Sequence, residues 1–302
     1  MKKTQLPSDL AETVKRALAE DVGSGDITAL LIGSNTSADA NVINREQAIL
    51  CGTAWFEEVF KQLDSQVHIT WYAQDGETIF PNQVLCNLTG PAPALVTGER
   101  AALNFLQLLS GTATQTQRYV NAISGTKARI LDTRKTLPGL RRAQKYAVCC
   151  GGGTNHRMGL YDAFLIKENH IVAAGSVTQA INQARHAARL PVEVEVETLE
   201  QIKEALAARV DSLLLDNFTV PQLRDAVALV SAQPPNIPPF KKNSLTAPPS
   251  QVTLEASGGV NLETIRAIAE TGVDFISVGA ITKDIRAVDL SMRFTEMPTN
   301  DK

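Results

Sequence analysis

The feature that most limits how this chain can fold is a set of six short apolar segments after residue 125. Each is almost wholly apolar until its last one to three positions, where polar or glycine residues appear, and helical stretches separate the segments. They are ARILDT, AFLIKE, VEVEVE, SLLLDN, VTLEAS and DFISVG, at 128–133, 163–168, 192–197, 212–217, 252–257 and 274–279. This alternation predicts βα repetition and a parallel sheet.

The polar ends of these segments favour a barrel. In α/β barrels the reacting groups lie at the C-terminal ends of the strands, so one face would gather these side chains. Six strands are clear and a seventh is not placed, which predicts an incomplete, six- or seven-stranded α/β barrel. An open doubly wound sheet would give the same sequence pattern.

The first part of the chain has a different pattern. Residues 8–21 predict a helix with Ser8 as its N-cap, and residues 53–63 predict a second helix within a small α+β unit. A long apolar helix is expected over residues 96–123. The small residues after Ser110 in this helix would let another element pack closely against it.

Composition excludes several classes of protein. The chain of 302 residues is 44% hydrophobic and 20% charged, with a net charge of -3, which is typical of a globular protein and gives no basic field for a nucleic-acid partner. Neither an apolar leader nor a run of about 18 apolar residues occurs, so we expect no membrane segment and a cytoplasmic location. The proline-rich stretch 232–251 predicts a surface loop or an ordered arm and no core element.

The four cysteines give no sequence signal for a metal site. Cys51, Cys86, Cys149 and Cys150 have neither C-x-x-C spacing nor histidines at zinc-site intervals. We therefore expect inert thiols in a reducing compartment.

Positive charge concentrates between residues 129 and 167. This stretch holds eight basic residues and two acids, Asp132 and Asp162. Each cation could simply be a solvated surface residue, but Arg134, Lys135 and Lys167 fall at strand ends. Guanidinium groups bind carboxylates and phosphates in a bidentate manner, so the cluster predicts a strongly anionic ligand.

The glycine-rich loop GGGTNHRMG at 151–159 follows the first half of this basic stretch. Its backbone N–H groups could approach an anion while His156 and Arg157 face the ligand. A single histidine is also common as a structural residue, so both roles of His156 stay open.

Two carboxylates, Glu195 and Asp216, end consecutive predicted strands and should therefore lie side by side. They suit a Mg²⁺ ion bound to pyrophosphate, or hydrogen bonds to ribose hydroxyls. Salt bridges to Arg134 or Lys167 are the alternative. Glu193 and Glu197 alternate with Glu195, so alternation alone does not choose among the three.

Glycine-rich ends of the last two predicted strands suggest a phosphate site. These ends are Ser257, Gly258 and Gly259, and Val278, Gly279 and Ala280, each expected to lead into a helix. Amides at such positions bind phosphate in many barrels, although small residues can also meet a steric need.

Taken together, these motifs resemble the quinolinate phosphoribosyltransferase family, the carboxylating nicotinate-nucleotide pyrophosphorylases. The resemblance covers nearly the whole chain. It is most specific in the order of DTRKT-P-LR, NHR-GL-D and IKENH, which lie within LDTRKTLPGLR at 131–141 and GGGTNHRMGLYDAFLIKENH at 151–170. It implies transfer of a phosphoribosyl group from 5-phosphoribosyl 1-pyrophosphate to quinolinate, with release of pyrophosphate and carbon dioxide, on the route to NAD.

The resemblance also implies roles for individual residues. Arg134, His156, Arg157 and Lys167 would contact the pyridine carboxylates, with Thr133 beside them and Lys135 near both substrates. Glu195 and Asp216 would contact Mg²⁺ and ribose, and residues 257–259 and 278–280 would contact phosphate. Catalysis would fall to Lys135, Lys167, Glu195 and Asp216.

The family's fold implies an α/β sandwich domain over residues 1–115 and a barrel over 116–285. A C-terminal segment, 286–302, would return to the first domain. The resemblance further implies a homodimer in which Arg100 reaches the neighbouring active site. Two departures from the family pattern, Cys149-Cys150 and the long insert at 233–250, touch none of these positions.

Three other activities fit parts of the pattern. A nicotinate phosphoribosyltransferase would need one carboxylate fewer to be neutralised, and the excess of cations disfavours it. A Schiff-base aldolase would use Lys167 as its amine. A non-catalytic anion-binding protein would leave Glu195 and Asp216 without a purpose inside a basic pocket.

Overall fold

The computed structural model describes residues 5–233 and 252–296. Most of the predicted proline-rich loop therefore lies outside the described residues. The chain forms two compact units, one of residues 1–117, 135–153 and 281–302, and the other of residues 118–134 and 154–280. The domain boundaries expected from the sequence stay predictions.

The first unit contains a four-stranded antiparallel sheet in the order β12-β1-β5-β3 and a small β2–β4 ladder. The C-terminal strand therefore pairs with the first strand of the chain. The strands are β1 (Ser37–Asn44), β2 (Ala48–Ile49), β3 (His68–Trp71), β4 (Thr78–Ile79), β5 (Val84–Pro91) and β12 (Leu290–Glu296). The helices are α1 (Leu10–Val22), a 3₁₀ turn (Ala29–Leu31), α2 (Thr53–Leu63), most of α3 (Ala92–Ala122) and α4 (Arg141–Cys150).

Alternating burial along β1 builds the core of this unit. Ala40 and Val42 point inward, and the aromatic face of α2 packs in the same core with Trp55, Phe56 and Phe60 all fully buried. Strand residues of period two and helix residues of period near four thus supply the two sides of one apolar layer.

The helices predicted in this unit are found, with one wrong detail. α2 has the predicted bounds, and α3 begins four residues before the predicted start. Ser8 does not cap α1: Asp9 occupies the N-cap position, and the Ser8 hydroxyl accepts a hydrogen bond from Arg142 Nη1 at 2.9 Å. The serine therefore joins two segments and does not begin the helix.

The second unit contains a parallel sheet made of all six predicted strands. They are β6 (Arg129–Leu131), β7 (Phe164–Ile166), β8 (Val192–Val196), β9 (Ser212–Asp216), β10 (Thr253–Ser257) and β11 (Phe275–Ser277). The helices between them are α5 (Glu168–Ala174), α6 (Val177–Ala187), α7 (Leu199–Ala207), α8 (Val220–Ser231) and α9 (Ile265–Ala269), and α10 (Ala280–Lys283) follows β11.

The strand order is that of an interrupted ring. It runs β7-β8-β9-β10-β11-β6. The strands from β7 to β11 therefore follow the order of the chain, and the last strand, β11, pairs with the first, β6. In a doubly wound sheet the order of the strands reverses near the middle of the sheet, and the observed order excludes that topology. Among the described residues no ladder joins β6 to β7, and Thr154 makes a single parallel bridge to Leu131 at that edge. The fold is thus the predicted small sheet domain with an incomplete barrel.

Within residues 5–233 and 252–296, no helix combines the length and the hydrophobicity that crossing a bilayer requires.

Close packing at Gly111 on α3 leads to the first prediction. A Cβ atom there would lie 2.3 Å from the backbone oxygen of Arg286, so the small residues after Ser110 do admit another segment as predicted. Gly111→Ala should lower the free energy of unfolding by about 1–3 kcal/mol, because backbone on both sides must move. Chemical denaturation measures this.

The matched control is Asn121→Ala, at an exposed position of the same helix. Alanine has the higher helix propensity, so stability should be unchanged or slightly raised. Equal stability of Gly111→Ala and wild type would contradict the close approach.

Candidate active site

The register of the parallel ladders places several polar side chains on one face of the second unit's sheet. Glu195 pairs with Leu214 across β8 and β9, and Leu214 pairs with Glu255 across β9 and β10. Since paired residues point to the same side and alternate residues repeat that side, Glu193 and Asp216 share this face. A face that carries several carboxylates needs cations or protons among them.

His156 supplies a partner for two of these carboxylates. Its Nε2 lies 2.9 Å from Glu193 Oε2 and 3.2 Å from Glu255 Oε2. Both glutamates are buried, and Ser212 Oγ donates to the other oxygen of Glu193 at 3.1 Å. These contacts give His156 a structural role, and whether it also contacts a ligand stays a prediction.

The three groups differ in their protonation. Burial alone would lower the pKa of His156, but the hydrogen bonds and charges of the two glutamates act in the opposite direction and raise it. Burial and the charge of Glu193 raise the pKa of Glu255. Burial also acts to raise the pKa of Glu193, but the hydrogen bonds from His156 and Ser212, together with the nearby positive charge, outweigh it and lower that pKa. Burial, charge and hydrogen bonding thus set the three pKa values apart.

The tautomer of His156 follows from its second nitrogen. The backbone N–H of Arg157 donates to Nδ1 at 2.7 Å, so Nδ1 carries no proton and the imidazole stays neutral despite the two neighbouring glutamates. We therefore assign one proton of the cluster to Nε2 and the other to Glu255, and leave Glu193 ionised.

Asp132, at the end of β6, fixes the loop that carries His156. Its buried carboxylate accepts hydrogen bonds from the backbone N–H of His156 at 2.9 Å and from Asn155 Nδ2 at 2.6 Å. Backbone bonds from Thr154 to Ile130 and from Asp132 to Thr154 hold the same segment against the strand. A charged acceptor buried beneath a loop in this way restricts its conformations.

Arg157 follows directly and has an unused donor. One guanidinium nitrogen, Nη1, donates to the carbonyl of Ala163 at 3.2 Å, while Nε is buried and, among the described residues, has no hydrogen-bond partner. Burial and the positive charge of Arg134 lower the pKa of Arg157. A buried unsatisfied donor beside a second cation is the environment that an anion would stabilise.

Lys167 and Glu195 form an ion pair at the ends of β7 and β8. This is the alternative role that the sequence left open for Glu195. Asp216 ends β9 and accepts a hydrogen bond from Asn217 Nδ2 at 2.8 Å. Whether these two carboxylates bind a metal stays a prediction.

The two glycine-rich strand ends differ from each other. Val278 and Gly279 lead directly into α10, whereas four residues separate Gly259 from Thr264, the residue before α9. Both strand ends thus lead into a helix, the first of them only after a turn. Gly258 also meets a steric need, since a Cβ there would lie 2.2 Å from Asn217 Oδ1 and its φ is +96°.

The remaining predicted residues have the following positions. In the second unit Thr133 is half-buried and Arg134 is exposed, both just beyond β6. In the first unit Arg100 is exposed on α3, and Lys135 is exposed while its carbonyl accepts a hydrogen bond from Thr282 Oγ1 at 2.8 Å.

Sequence reasoning missed the buried network beneath the cations. Asp132 was noted only as one of two acids, Glu193 was not chosen, and Glu255 was not singled out. One signal was available: VEVEV and TLEAS each place a glutamate inside a buried strand, where an ionisable residue needs a partner.

Two domain models of one protein family match this chain. The N-terminal domain model of quinolinate phosphoribosyl transferase matches residues 26–110, and the C-terminal domain model matches residues 112–293. Together the two matches cover most of the chain.

Individual relatives agree with the family models. A probable nicotinate-nucleotide pyrophosphorylase (carboxylating) of Bacillus subtilis is 40% identical over 288 residues, covering 95% of this chain and 93% of the relative. The nicotinate-nucleotide pyrophosphorylase (carboxylating) of Mycobacterium leprae is 41% identical over 288 residues, with coverages of 93% and 95%. The solved structure of the nicotinate-nucleotide pyrophosphorylase from Francisella tularensis matches with a TM-score of 0.88 and 44% identity, covering 97% and 98% of the two chains.

The unequal protonation of the two buried glutamates is testable. Glu193→Gln should lower the free energy of unfolding by about 1.5–3 kcal/mol, because it removes charged hydrogen bonds to His156 and Ser212. Glu255→Gln should cost less than about 1 kcal/mol, since an amide has nearly the shape of the protonated acid. Urea denaturation at neutral pH compares the two variants.

Acidification gives an independent check. A carboxylate whose pKa is lowered by folding contributes stability above its unfolded pKa, and that contribution is lost as the pH falls below it. Wild type should thus lose more stability than Glu193→Gln on acidification. Equal losses, or a larger neutral-pH cost for Glu255→Gln, would contradict the assignment.

Proposed function

This chain belongs to the quinolinate phosphoribosyltransferase family, and from that premise we propose how its residues carry out the reaction. The protein is a decarboxylating pentosyltransferase. It converts quinolinate and 5-phosphoribosyl 1-pyrophosphate to nicotinate mononucleotide, pyrophosphate and carbon dioxide in NAD biosynthesis. The proposal concerns which side chains bind each substrate.

The unused donor of Arg157 carries the proposal for quinolinate. Its buried Nε faces no protein acceptor among the described residues, and Arg134 adds positive charge nearby. A pyridine dicarboxylate would supply the missing acceptor and neutralise both cations. Lys167 and His156 complete this group, with Thr133 at its edge and Lys135 following Arg134 in the chain.

The acidic pair suits the phosphoribosyl substrate. Glu195 and Asp216 offer carboxylate oxygens, the hard ligands that Mg²⁺ prefers, and both end neighbouring strands of the barrel. The donor set therefore fits Mg²⁺, although Glu195 must then leave its ion pair with Lys167. Bound Mg²⁺ would supply neutralisation of the pyrophosphate charge. Residues 257–259 and 278–280 would contact phosphate.

Transfer needs positioning and charge stabilisation and no covalent nucleophile. As pyrophosphate leaves, positive charge grows at the anomeric carbon of ribose, and the ring nitrogen of quinolinate attacks that carbon. Glu195 and Asp216 would stabilise this charge while Arg134 and Arg157 hold the ring in line.

Decarboxylation follows on the resulting mononucleotide. The cationic ring is an electron sink, so loss of the 2-carboxylate leaves an electron pair on a ring carbon beside the positive nitrogen. Lys135 and Lys167 would stabilise this charge, and protonation of that carbon completes the step.

We propose a homodimer as the working form, with Arg100 reaching the active site of the neighbouring subunit. Arg100 is exposed on α3, where a second copy can meet it. The expected cytoplasmic location stays a prediction.

The central test is a Mg²⁺-dependent assay with quinolinate and 5-phosphoribosyl 1-pyrophosphate that follows carbon dioxide release. Arg157→Ala and Lys135→Ala should each lower kcat/KM by at least about 100-fold, because charge-assisted hydrogen bonds to the substrate are lost. Their unfolding transitions should stay near that of wild type. Lys61→Ala, which removes a cation exposed on α2, is the control and should turn over normally.

Two outcomes would defeat the proposal. Folded wild type that releases no carbon dioxide, but transfers the phosphoribosyl group to nicotinate, would assign the other transferase activity. A collapse of stability in Arg157→Ala would indicate a structural role for that residue instead.

Mixing two inactive variants tests the shared site. Arg100→Ala retains an intact barrel, and Arg157→Ala retains an intact Arg100, so a mixed dimer would contain one complete site. After subunit exchange at equal amounts, about a quarter of wild-type activity should return, because half of the dimers are mixed and each has one working site. If Arg100 acts within its own subunit, no activity returns.

A further inference from the structure

A second cluster of metal-binding side chains lies in the first compact unit. Cys51 precedes α2, Asp75 lies in the turn before β4, and Cys150 ends α4. The two Sγ atoms and a carboxylate oxygen of Asp75 all lie within 4.8 Å of one another. Three distant parts of the chain thus bring two thiols and one carboxylate to a single point.

We propose that Cys51, Asp75 and Cys150 bind one zinc-type divalent cation, with a water molecule as the fourth ligand. Zinc takes thiolate sulfur at about 2.3 Å and carboxylate oxygen at about 2.0–2.2 Å in tetrahedral sites. Neighbouring ligand atoms then lie roughly 3.5–4 Å apart, which small side-chain rotations of this cluster can reach. Sulfur ligands select zinc over Mg²⁺, the ion proposed above for the transferase reaction.

Asp75 is already oriented as metal-binding carboxylates usually are. Its Oδ1 accepts backbone N–H bonds from Gly52 at 3.0 Å and Thr53 at 3.2 Å, and its Oδ2 accepts the Tyr146 hydroxyl at 2.9 Å. A carboxylate has about four lone-pair sites, so one remains for a cation. Hydrogen bonds of this kind fix the ligand's direction and tune the ion.

Access and burial also fit an ion that enters from solvent. Both cysteines are buried, whereas Asp75 is only partly buried and can meet the hydrated ion first. The ring of Tyr146 packs on Trp55, with centroids 5.3 Å apart, so the wall beside the cluster is apolar and aromatic.

The charge balance favours cation binding over an unpaired thiolate. Both cysteines are buried, and a buried thiolate without a partner is costly. Binding replaces two thiol protons by one divalent cation and releases both protons to solvent. The net charge of the buried cluster is therefore unchanged, which avoids the cost of adding charge to the interior.

Cobalt(II) is the probe, because a thiolate bound to cobalt gives a charge-transfer band in the near ultraviolet. The full-length protein, treated with a chelator and a reductant and then dialysed, should bind one Co²⁺ per chain with this band. Zn²⁺ should displace the Co²⁺ and abolish the band. Trp55 fluorescence should be quenched by Co²⁺ and should recover with Zn²⁺.

Matched variants locate the ion. Cys51→Ser and Cys150→Ser should remove the charge-transfer band and weaken Zn²⁺ binding by more than about 100-fold. Cys86→Ser removes a buried thiol outside the cluster and should leave the band unchanged. Glu195→Gln and Asp216→Asn should also retain it, which separates this site from the proposed Mg²⁺ ligands.

Three results would overturn the proposal. The first is folded wild type with no thiolate–cobalt band, and the second is equal binding by wild type and the double variant Cys51→Ser, Cys150→Ser. The third is that prior Zn²⁺ prevents neither the formation of a Cys51–Cys150 disulfide by a mild peroxide nor the alkylation of the two thiols. None of these results depends on whether the transferase activity is present.

Discussion

The hydrogen-bonded cluster of Glu193, His156 and Glu255 is the interaction on which the rest of the candidate active site depends. Parallel pairing puts both glutamates inside the barrel, where an unpaired charge would cost several kcal/mol. His156 can stand between them only because Asp132 and the backbone N–H of Arg157 fix its loop and its tautomer. The same restraint leaves Arg157 with a buried, unused donor, so the polar interior positions the cation that we propose as a ligand for quinolinate.

The barrel could be predicted from the sequence because parallel strands are buried on both faces and become polar only where they end. Segments such as SLLLDN therefore mark both the strand and its functional edge, and β9 ends at Asp216 as that pattern requires. The long helix α3 could be predicted from its apolar residues. The small residues after Ser110 further predicted that another segment packs closely against it. Gly111 meets backbone at that point.

The buried network could not be predicted, because it depends on contacts between distant residues. His156 and Glu255 are far apart in the chain, and the glutamate in VTLEAS gives no sign of which donor it meets. The same limit applies to Cys51 and Cys150, because their separation in sequence gives no sign that both lie beside Asp75. The prediction that Ser8 caps α1 was wrong because two adjacent residues, Ser8 and Asp9, are both of a type found at the N-cap position. Only tertiary contacts decide which of them occupies it.

The ion pair of Lys167 and Glu195 has a consequence for how the two substrates would bind. Under the proposed roles, Lys167 turns to a pyridine carboxylate while Glu195 turns to the metal or the ribose, so either substrate must first separate the same pair. The first substrate to bind bears the free-energy cost of separating the ion pair, and the second does not. Such coupling is reciprocal, so each substrate would raise the affinity for the other by the same factor. One ion pair at the ends of two neighbouring strands could thus favour the complex that holds both substrates, which is the complex in which transfer occurs.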